Sequence, residues 1–422
     1  MPPDVDPLAR VRGTAPRLEN ILTTNIDPFW SEGTLDHENG GYRINHDSAG
    51  AWRGPAPKRT VSQVRSLWYF SRMHRAGYEG THREAARHGF EFLAERLWDH
   101  DHGGVYWEVD AAGREPTIAD KHLFAQAFAL FALAEYARTT GDASARALAD
   151  RLFEVTEERH HDPRHGGYRE HLARDGSELP SGTPNLMNPP VVWRTMNTHL
   201  HVMEALNEYY PLSKDSLVRE RLIEMTRIMT SAVIRKRHAA GTNAHYVDWI
   251  PLVGHRTTVS YGHDIENVHL LIVACEALGW PQAPFIDLYV SLFETALIYG
   301  RDRRAGGFFL AGWPGLPAHR REKVFWVQAE ILLGCARMLH LTGHDIYAET
   351  FLETLGWIEN RQVDWERGEW HLVVETSGRA TGDKAGLWKE PYHHGRAMIE
   401  CLELMGRGFR NPARSGAGRA PS

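Results

Sequence analysis

Histidine is the residue type through which this sequence could transfer protons near neutral pH. The chain has 422 residues and 25 histidines, and imidazole is the only side chain that ionises near neutrality unaided. His263 stands three residues before Glu266. On a helix, that spacing places both residues on one face, where the carboxylate can orient the imidazole and raise its basicity. A capped helix start at Ser260 would also explain this segment, so a structural role stays open.

Further polar residues recur near the starts of predicted helices. His393 and His394 follow Pro391, a residue type typical of the first helical position. Because the two histidines are adjacent, only one can face inward. Asn197 and His201 are four residues apart and share a helix face. A histidine in such a place can equally be a satisfied core residue.

Arginine and tryptophan complete the candidate binding surface. Arg65 lies in the otherwise apolar stretch VSQVRSLWYF, where a guanidinium needs a partner, either a ligand or a structural carboxylate. Trp326 and Trp388 fit a hydrophobic core or a platform for the C–H face of a sugar ring. Gln126 and Gln328 begin two other apolar segments. We expect these side chains to line one pocket, because apolar residues would fill the same positions in a core.

A repeated pattern organises these residues. A charged turn followed by Gly-Gly and an aromatic residue recurs along the chain, with two degenerate copies. The intervals between successive copies are 63, 63, 77, 63 and 61 residues, which predicts six structural units. The markers of the six copies are Gly41, Gly104, Gly167, Ala244, Gly307 and Gly368.

Each unit contains a predicted hairpin and two segments with helical periodicity. The first segment is apolar nearly all round, which is typical of a buried helix, and the second has a charged face, which is typical of an outer helix. The inner helices are predicted at Gln63–Ala76, Lys121–Arg138, Arg194–Tyr210, Ser260–Leu278, Lys323–Leu341 and Tyr392–Met405. The predicted outer helices include Arg17–Trp30, Arg83–Trp98 and Ala143–His160.

Six inner and six outer helices predict an all-α fold, an (α/α)6 barrel with short β-hairpins at one end. An open helical solenoid would use the same units, but six units of similar length without atypical capping repeats favour closure. In the barrel, the inner helices point their N-termini at one mouth, where the polar residues above would collect. We expect one catalytic domain at residues 1–408 and a disordered tail at 409–422.

Composition excludes several classes of function. There are 48 lysine and arginine residues against 54 aspartate and glutamate residues, a net charge of −6, which gives no basis for binding nucleic acid or an anionic membrane. Three cysteines are too few for a disulfide framework. The N-terminal residues lack the apolar core of a secretory signal. We therefore expect a cytoplasmic protein, a monomer or a homodimer, without a membrane or nucleic-acid partner.

No cofactor or metal is expected from the motifs. The sequence contains no HExxH, and its Gly-Gly pairs lie in hairpins rather than between a strand and a helix. Two histidines from different units, an arginine, neutral polar groups and indoles instead fit proton abstraction next to a carbonyl. A reducing sugar offers that carbonyl when its ring opens, and its C2 hydrogen is then acidic.

Inversion at C2 requires a proton to leave one face of the sugar and return on the other. His263 and His393 can be the two bases. The enediolate formed between these steps carries negative oxygens that need a preorganised positive donor, and Arg65 is the natural one.

Several motifs in this chain resemble the N-acylglucosamine 2-epimerase superfamily, and most of all its cellobiose 2-epimerase branch. The resemblance covers about residues 20 to 407 and implies the (α/α)6 barrel. The motifs are GGVYWEVDAAG (103–113), KHLFAQAFALFALAEYAR (121–138), NTHLHVMEALNEYY (197–210), SYGHDIEN (260–267), WVQAE (326–330) and WKEPYHHGRA (388–397).

The resemblance also implies roles for the candidate residues. His263 and His393 would be the catalytic acid/base pair, with His393 assisting ring opening, and Arg65 would be catalytic beside them. The residues expected to bind the open sugar and its enediolate are Asn197, His201 and Glu266, and those expected to stack on the substrate are Trp326 and Trp388.

The chain departs from the family pattern at Phe325, where disaccharide epimerases tend to have tryptophan, and at Glu390, where a small residue is common. The substrate can therefore be a monosaccharide such as mannose or glucose, or a β-1,4 disaccharide. An aldose–ketose isomerase of the mannose-to-fructose type is the main alternative. An inverting glycosidase, or a non-catalytic sugar-binding protein, is less well supported.

Overall fold

Helices dominate the computed structural model, which describes residues 6–187, 193–252 and 258–406. The predicted tail at 409–422 lies outside these residues. Within them, no helix combines the length and the apolar character that a bilayer crossing requires. The helices are α1 Pro7–Arg12, α2 Ala15–Ile21, α3 Asp27–Gly33, α4 Thr60–Arg75, α5 His82–Phe92, α6 Leu123–Thr140, α7 Ala143–His160, α8 Met196–Ser213, α9 Ser216–Arg227, α10 Tyr261–Leu278, α11 Ile286–Thr295, α12 Phe325–Thr342, α13 Asp345–Trp357 and α14 Tyr392–Leu404.

Six of these helices form an inner set that packs in cyclic order. α4 packs against α6, α6 against α8, α8 against α10, α10 against α12, α12 against α14, and α14 returns to α4. Nearly every residue of α4 and α6 is buried, which agrees with the continuous apolar character of their sequences. The six predicted inner helices are confirmed, with boundaries within three residues at their starts.

Outer helices follow the inner ones and bury only one face. The helix α7, for example, buries Ala145, Ala149, Leu152 and Phe153 and exposes Arg151, Glu154 and Glu158. In four other units a five-residue π-helical turn ends the outer helix directly before the hairpin, and in the first unit such a turn instead joins α2 to α3. These turns span Leu22–Ile26, Leu93–Leu97, Ile228–Ala232, Ala296–Gly300 and Ile358–Gln362.

Short antiparallel strands join neighbouring units. In five cases, the two residues before an inner helix pair with the hairpin that follows the next outer helix. Three sheets have three strands: β1 Lys58–Arg59 with β2 Glu108–Val109 and β3 Pro116–Ile118, β10 Val259–Ser260 with β11 Ala311–Gly312 and β12 Ala318–Arg320, and β13 Lys323–Val324 with β14 Val373–Val374 and β15 Ala380–Thr381. Three have two strands: β4 Lys121–His122 with β5 His171–Leu172, β6 Arg194–Thr195 with β9 Ala244–His245, and β7 Ile234–Arg235 with β8 Ala240–Gly241.

Glutamine side chains hold the Gly-Gly hairpins against the inner helices. Gln126 Oε1 accepts from the backbone N–H of Val105 and Gln126 Nε2 donates to its carbonyl, both at 2.8 Å. Gln63 binds Tyr42 and Gln328 binds Phe308 in the same way. The expectation that Gln126 and Gln328 line the pocket is therefore wrong, because backbone groups occupy their polar atoms.

The close approach of this glutamine explains the second glycine of the motif. Gly104 has φ +71°, and a Cβ atom there would lie 2.8 Å from Gln126 Oε1. A larger residue would therefore meet both backbone strain and a steric conflict.

Buried ion pairs reinforce the hairpins. For example, Lys121 Nζ lies 2.9 Å from Asp99 Oδ2 and Lys58 Nζ lies 2.8 Å from Asp36 Oδ2.

We expect Gln126→Leu to destabilise the protein, because it leaves the buried N–H and C=O of Val105 unpaired. The cost should be about 2 to 4 kcal/mol of the free energy of unfolding, measured by thermal and denaturant unfolding. Glu158→Leu on the exposed face of α7 is the control. Equal midpoints for the two variants would contradict the structural role of Gln126.

Candidate active site

The candidate residues come together where the inner helices begin. Backbone strands and caps fix these starts: Thr195 caps α8 by accepting from the N–H of Thr198, and Ser260 caps α10 by accepting from the N–H of His263. The N-terminal halves of five helices and the segment before α14 supply the side chains. They are Arg65 on α4, Asn197, His201 and Glu204 on α8, His263 and Glu266 on α10, Trp326 and Glu330 on α12, Trp388 before α14, and Tyr392, His393 and Arg396 on α14.

His393 faces inward and His394 faces the neighbouring hairpin, as the adjacency of the two residues predicts. A hydrogen bond of 2.7 Å joins His393 Nδ1 to Glu330 Oε1. His394 Nε2 instead lies 2.8 Å from Glu369 Oε1. Burial, together with the positive charges of Arg65 and Arg396, lowers the pKa of His393 well below its ordinary value. His393 is therefore a neutral imidazole whose Nδ1 is engaged.

His201 has a carboxylate partner of the same kind. Its Nδ1 lies 2.8 Å from Glu204 Oε2, on the next turn of α8. His199 points away, as expected, and its Nε2 accepts from the backbone N–H of Tyr168. Glu204 is also bound on its other oxygen, Oε1, by the Tyr392 hydroxyl and by Arg396 Nη1.

Arg396 lies at the centre of three buried carboxylates, which we call the arginine cluster: Arg396, Glu204, Glu266 and Glu330. Arg396 Nη1 donates to Glu204 Oε1, and Nη2 donates at 2.8 Å to both Glu266 Oε1 and Glu330 Oε1. All four side chains are at most 2% exposed. The cluster ties α8, α10 and α12 to α14.

The carboxylates of the arginine cluster have different proton affinities. Burial opposes ionisation of Glu204, but Arg396 and His201 outweigh it and lower the pKa of Glu204 to about 2. Burial and the negative charge of Glu266 raise the pKa of Glu330 well above its ordinary value, although Arg396 opposes this. One positive guanidinium cannot offset three ionised carboxylates, and Glu330 holds a proton more readily than Glu204.

Glu266, Glu330 and His393 also have ligand atoms within 4.8 Å of one another, a spacing that could hold a metal ion. Arg396 Nη2 already bonds the Oε1 atoms of both glutamates. A divalent cation would have to displace this guanidinium or lie beside it, which its positive charge disfavours.

His263 and His393 both contact the indole ring of Trp326. The ring centroid of Trp326 is 4.6 Å from that of His263 and 5.6 Å from that of His393. Burial lowers the pKa of His263 to about 4, although the charge of Glu266 opposes the shift. Both imidazoles are therefore neutral near pH 7 and lie in one cluster.

The expected pairing of Glu266 with His263 is wrong. Glu266 Oε1 accepts from Arg396 instead, and lies 3.9 Å from His393 Nδ1. Among the described residues, the His263 ring nitrogens make no hydrogen bond. The i,i+3 spacing placed the two side chains on one face of α10, but the guanidinium on α14 competes for the carboxylate and binds it more strongly.

Arg65 is buried between aromatic rings. Its Nη1 donates to Glu390 Oε1, and its Cζ lies 4.0 Å from the ring centroid of Phe128 and 4.7 Å from that of Tyr392. The carboxylate partner that the sequence left open is thus Glu390, in the segment before α14. Arg65 is 4% exposed and Glu390 is fully buried.

Asn197 lies in the first turn of α8, and Trp388 lies in the segment before α14. Asn197 Oδ1 is buried and has no hydrogen-bond partner among the described residues, which is unusual for a native side chain. Trp388 is 43% exposed, and its ring centroid lies 6.0 Å from that of Phe124 and 6.4 Å from that of Trp107. The Trp388 ring is thus accessible to a ligand, and Asn197 Oδ1 is an acceptor without a partner among the described residues.

Sequence reasoning missed the carboxylates that hold the histidines. Glu204 follows His201 by three residues, the same spacing that drew attention to Glu266, so this signal was present. Glu330 and Arg396 lie inside two of the recognised motifs, WVQAE and WKEPYHHGRA. Their pairing joins α12 to α14 and could not be inferred from spacing along the chain.

Comparison with known proteins identifies the family of this chain. The model of the N-acylglucosamine 2-epimerase (GlcNAc 2-epimerase) family matches residues 40–397. The chain belongs to this family. It is 32% identical to a cellobiose 2-epimerase of Ruminococcus albus, over 92% of this chain and 97% of that protein. It is also similar to a D-mannose isomerase of Marinomonas mediterranea, 21% identical over 89% of this chain and 94% of that protein.

A solved structure of a similar protein has the same fold. The cellobiose 2-epimerase from Bacillus thermoamylovorans B4167 superposes with a TM-score of 0.86 at 28% identity, covering 93% of this chain and 99% of that one. The similarity therefore extends over nearly the whole of both chains.

We expect Arg396→Met to destabilise the protein by about 3 to 5 kcal/mol at pH 8, because three buried carboxylates lose their counter-charge. Without Arg396 the folded-state pKa values of these carboxylates rise above the unfolded values. The folded state then binds more protons, so the variant should regain stability as the pH falls from 8 to about 5.

Thermal unfolding between pH 5 and 8 measures this effect, with the exposed Arg303→Met as the control. If Arg396→Met were less stable than the wild-type protein by the same amount at every pH, the loss of stability would not come from the ionised carboxylates.

Proposed function

We propose that this protein is a cofactor-independent C2 epimerase of reducing sugars, in a single (α/α)6-barrel domain. The observation that carries the proposal is the contact of His263 and His393 with the same indole, Trp326, at centroid distances of 4.6 and 5.6 Å. Two neutral imidazoles in one cluster can serve as bases for one bound sugar. The cellobiose 2-epimerases among its relatives support the same reaction class.

The reaction begins once the sugar ring has opened to expose the C1 carbonyl. One histidine removes the C2 proton, the electron pair of the C2–H bond forms the C1=C2 bond, and the carbonyl pair moves to O1. The other histidine then donates a proton to the opposite face of C2, and the C1 carbonyl re-forms. No atom is gained or lost, and the configuration at C2 is inverted.

Both histidines are neutral, but only His393 is hydrogen-bonded to a carboxyl group that can supply a proton. His263 is neutral, since its pKa is lowered to about 4, and so suits the base. His393 shares a 2.7 Å hydrogen bond with Glu330, whose raised pKa lets the pair hold one proton. When Glu330 protonates Nδ1, His393 can donate from Nε2. Epimerisation in the reverse direction exchanges the two roles.

The remaining residues bind and stabilise the open sugar. Arg65 supplies positive charge for the enediolate oxygens, and Trp326 and Trp388 stack on the sugar. Asn197 and His201 donate to or accept from its hydroxyl groups. Glu266 acts through the arginine cluster, since its Oε1 is bound to Arg396.

An aldose–ketose isomerase is the second candidate, because relatives named D-mannose isomerase are similar over most of this chain. The same enediolate gives a ketose when the proton returns to C1 instead of C2. A glycosidase is disfavoured, because it needs two carboxylates free to act across the cleft. Glu204, Glu266 and Glu330 all bind one guanidinium instead.

The C2 assignment predicts where solvent deuterium enters the sugar. We expect cellobiose, mannose or glucose incubated with the protein in D2O to give the C2-inverted aldose carrying deuterium at C2, detected by NMR. His263→Ala and His393→Ala should each lower turnover by at least about 10²-fold, with unchanged circular dichroism.

The exposed His100→Ala is the control. A ketose as the main product would replace the epimerase assignment by the isomerase, and full turnover in either variant would remove that histidine from the mechanism.

The lowered pKa of His263 predicts how kcat/KM depends on pH below neutrality. An ordinary histidine of pKa about 6.5 would lose about nine-tenths of its neutral form at pH 5.5, whereas a group of pKa about 4 stays neutral. We therefore expect kcat/KM at pH 5.5 to remain close to its value at pH 7.5. The measurement needs circular dichroism at both pH values, and a tenfold loss in a folded protein would contradict the assignment of His263 as the neutral base.

A further inference from the structure

Glu390 is a buried carboxylate to which the reaction above gives no role. It is fully buried, its Oε1 accepts from Arg65 Nη1, and its Oε2 has no partner among the described residues. Burial raises the pKa of Glu390, while the charge of Arg65 opposes the shift. Burying a carboxylate costs desolvation free energy. We therefore look for a role of Glu390 in its contact with Arg65.

Arg65 depends on this one contact for its orientation. The faces of Phe128 and Tyr392 pack against its guanidinium, with Cζ 4.0 and 4.7 Å from the ring centroids. These contacts restrain the plane of the group but not its rotation within the plane. Among the described residues, Glu390 alone forms a hydrogen bond with it. The bond from Nη1 to Glu390 therefore fixes which N–H groups remain for a ligand.

The position of Glu390 also links Arg65 to the rest of the candidate site. Glu390 lies two residues after Trp388 and three before His393. Its neighbour Lys389 is anchored separately, by an ion pair with Glu369. The Glu390–Arg65 pair thus joins the first inner helix, α4, to the part of the chain that contains Trp388 and the proposed acid/base His393.

We propose that Glu390 is a positioning residue that acts through Arg65: it fixes the guanidinium in the plane set by Phe128 and Tyr392 and offsets part of its charge. This inference rests on the proposed function, because it concerns how Arg65 meets the oxygens of the open sugar. A displacement of Arg65 by about 1 Å can cost on the order of 10²-fold in rate. Glu390 itself need not touch the substrate.

A double-mutant cycle separates this role from general stabilisation. With the sugar that the wild-type protein converts, Glu390→Ala should lower kcat/KM by at least about 30-fold. In an Arg65→Ala background the same substitution should change kcat/KM by less than about threefold, because Glu390 then has nothing to position. Glu390→Gln keeps an oxygen that can accept from Arg65 Nη1, and should retain more activity than Glu390→Ala.

The control removes another ion pair formed by an arginine of α4. Arg72 on α4 pairs with Glu403 on α14, and neither residue belongs to the candidate site. Glu403→Gln should lower the thermal midpoint but leave kcat/KM unchanged. Calorimetric titration with the unreactive sugar alcohol of the converted sugar adds a binding readout, in which Glu390→Ala should weaken affinity only when Arg65 is present.

Each outcome bears on the proposal. An additive cycle, in which Glu390→Ala causes the same loss with and without the Arg65 side chain, would overturn it, as would wild-type kcat/KM in Glu390→Ala. Failure of both Glu390 variants to fold, with Glu403→Gln folded, would assign the pair to stability and also overturn it. Wild-type turnover on the sugar panel tests the proposed function separately, since the cycle compares only ratios to that turnover.

Discussion

The buried guanidinium of Arg396 is the interaction on which the candidate site depends. It binds one carboxylate from each of α8, α10 and α12, and two of these carboxylates in turn hold His201 and His393. Ion pairs so fully buried gain little stability over apolar packing, but losing one partner is costly because a bare charge remains. The cluster therefore fixes the relative positions of four helices through a requirement for charge balance.

The repeated units supply the scaffold, and differences between the units supply the chemistry. In three units a glutamine at the start of the inner helix binds the hairpin backbone, and His199, Asp264 and His394 occupy related positions in the others. Asp264 accepts from the N–H of Gly241, and burial raises its pKa well above its ordinary value. Arg65, His263 and His393, the residues proposed for catalysis, lie one or two residues along the chain from such anchors.

Burial gives the two proposed bases their character. Desolvation is the largest influence on both His263 and His393, and it favours the neutral imidazole. A base that is neutral at physiological pH is ready to accept a proton, but an acid also needs a proton to give. In the proposed mechanism the hydrogen bond between Glu330 and His393 meets this need, because burial raises the pKa of Glu330 and lets its carboxyl group hold a proton.

The sequence by itself determined the repeat, the inner helices and the residue types of the site, because hydrophobic periodicity and turn composition act over a few residues. It correctly predicted that His393 and His394 diverge and that His201 faces away from His199. Only the tertiary structure decided the partners: Glu266 binds Arg396 and not His263, Gln126 binds a hairpin and not the pocket, and Arg65 pairs with Glu390. In each case the partner comes from a part of the chain far away in sequence. The fold brings a charged or unpaired group close to the buried side chain, and the two then form a hydrogen bond.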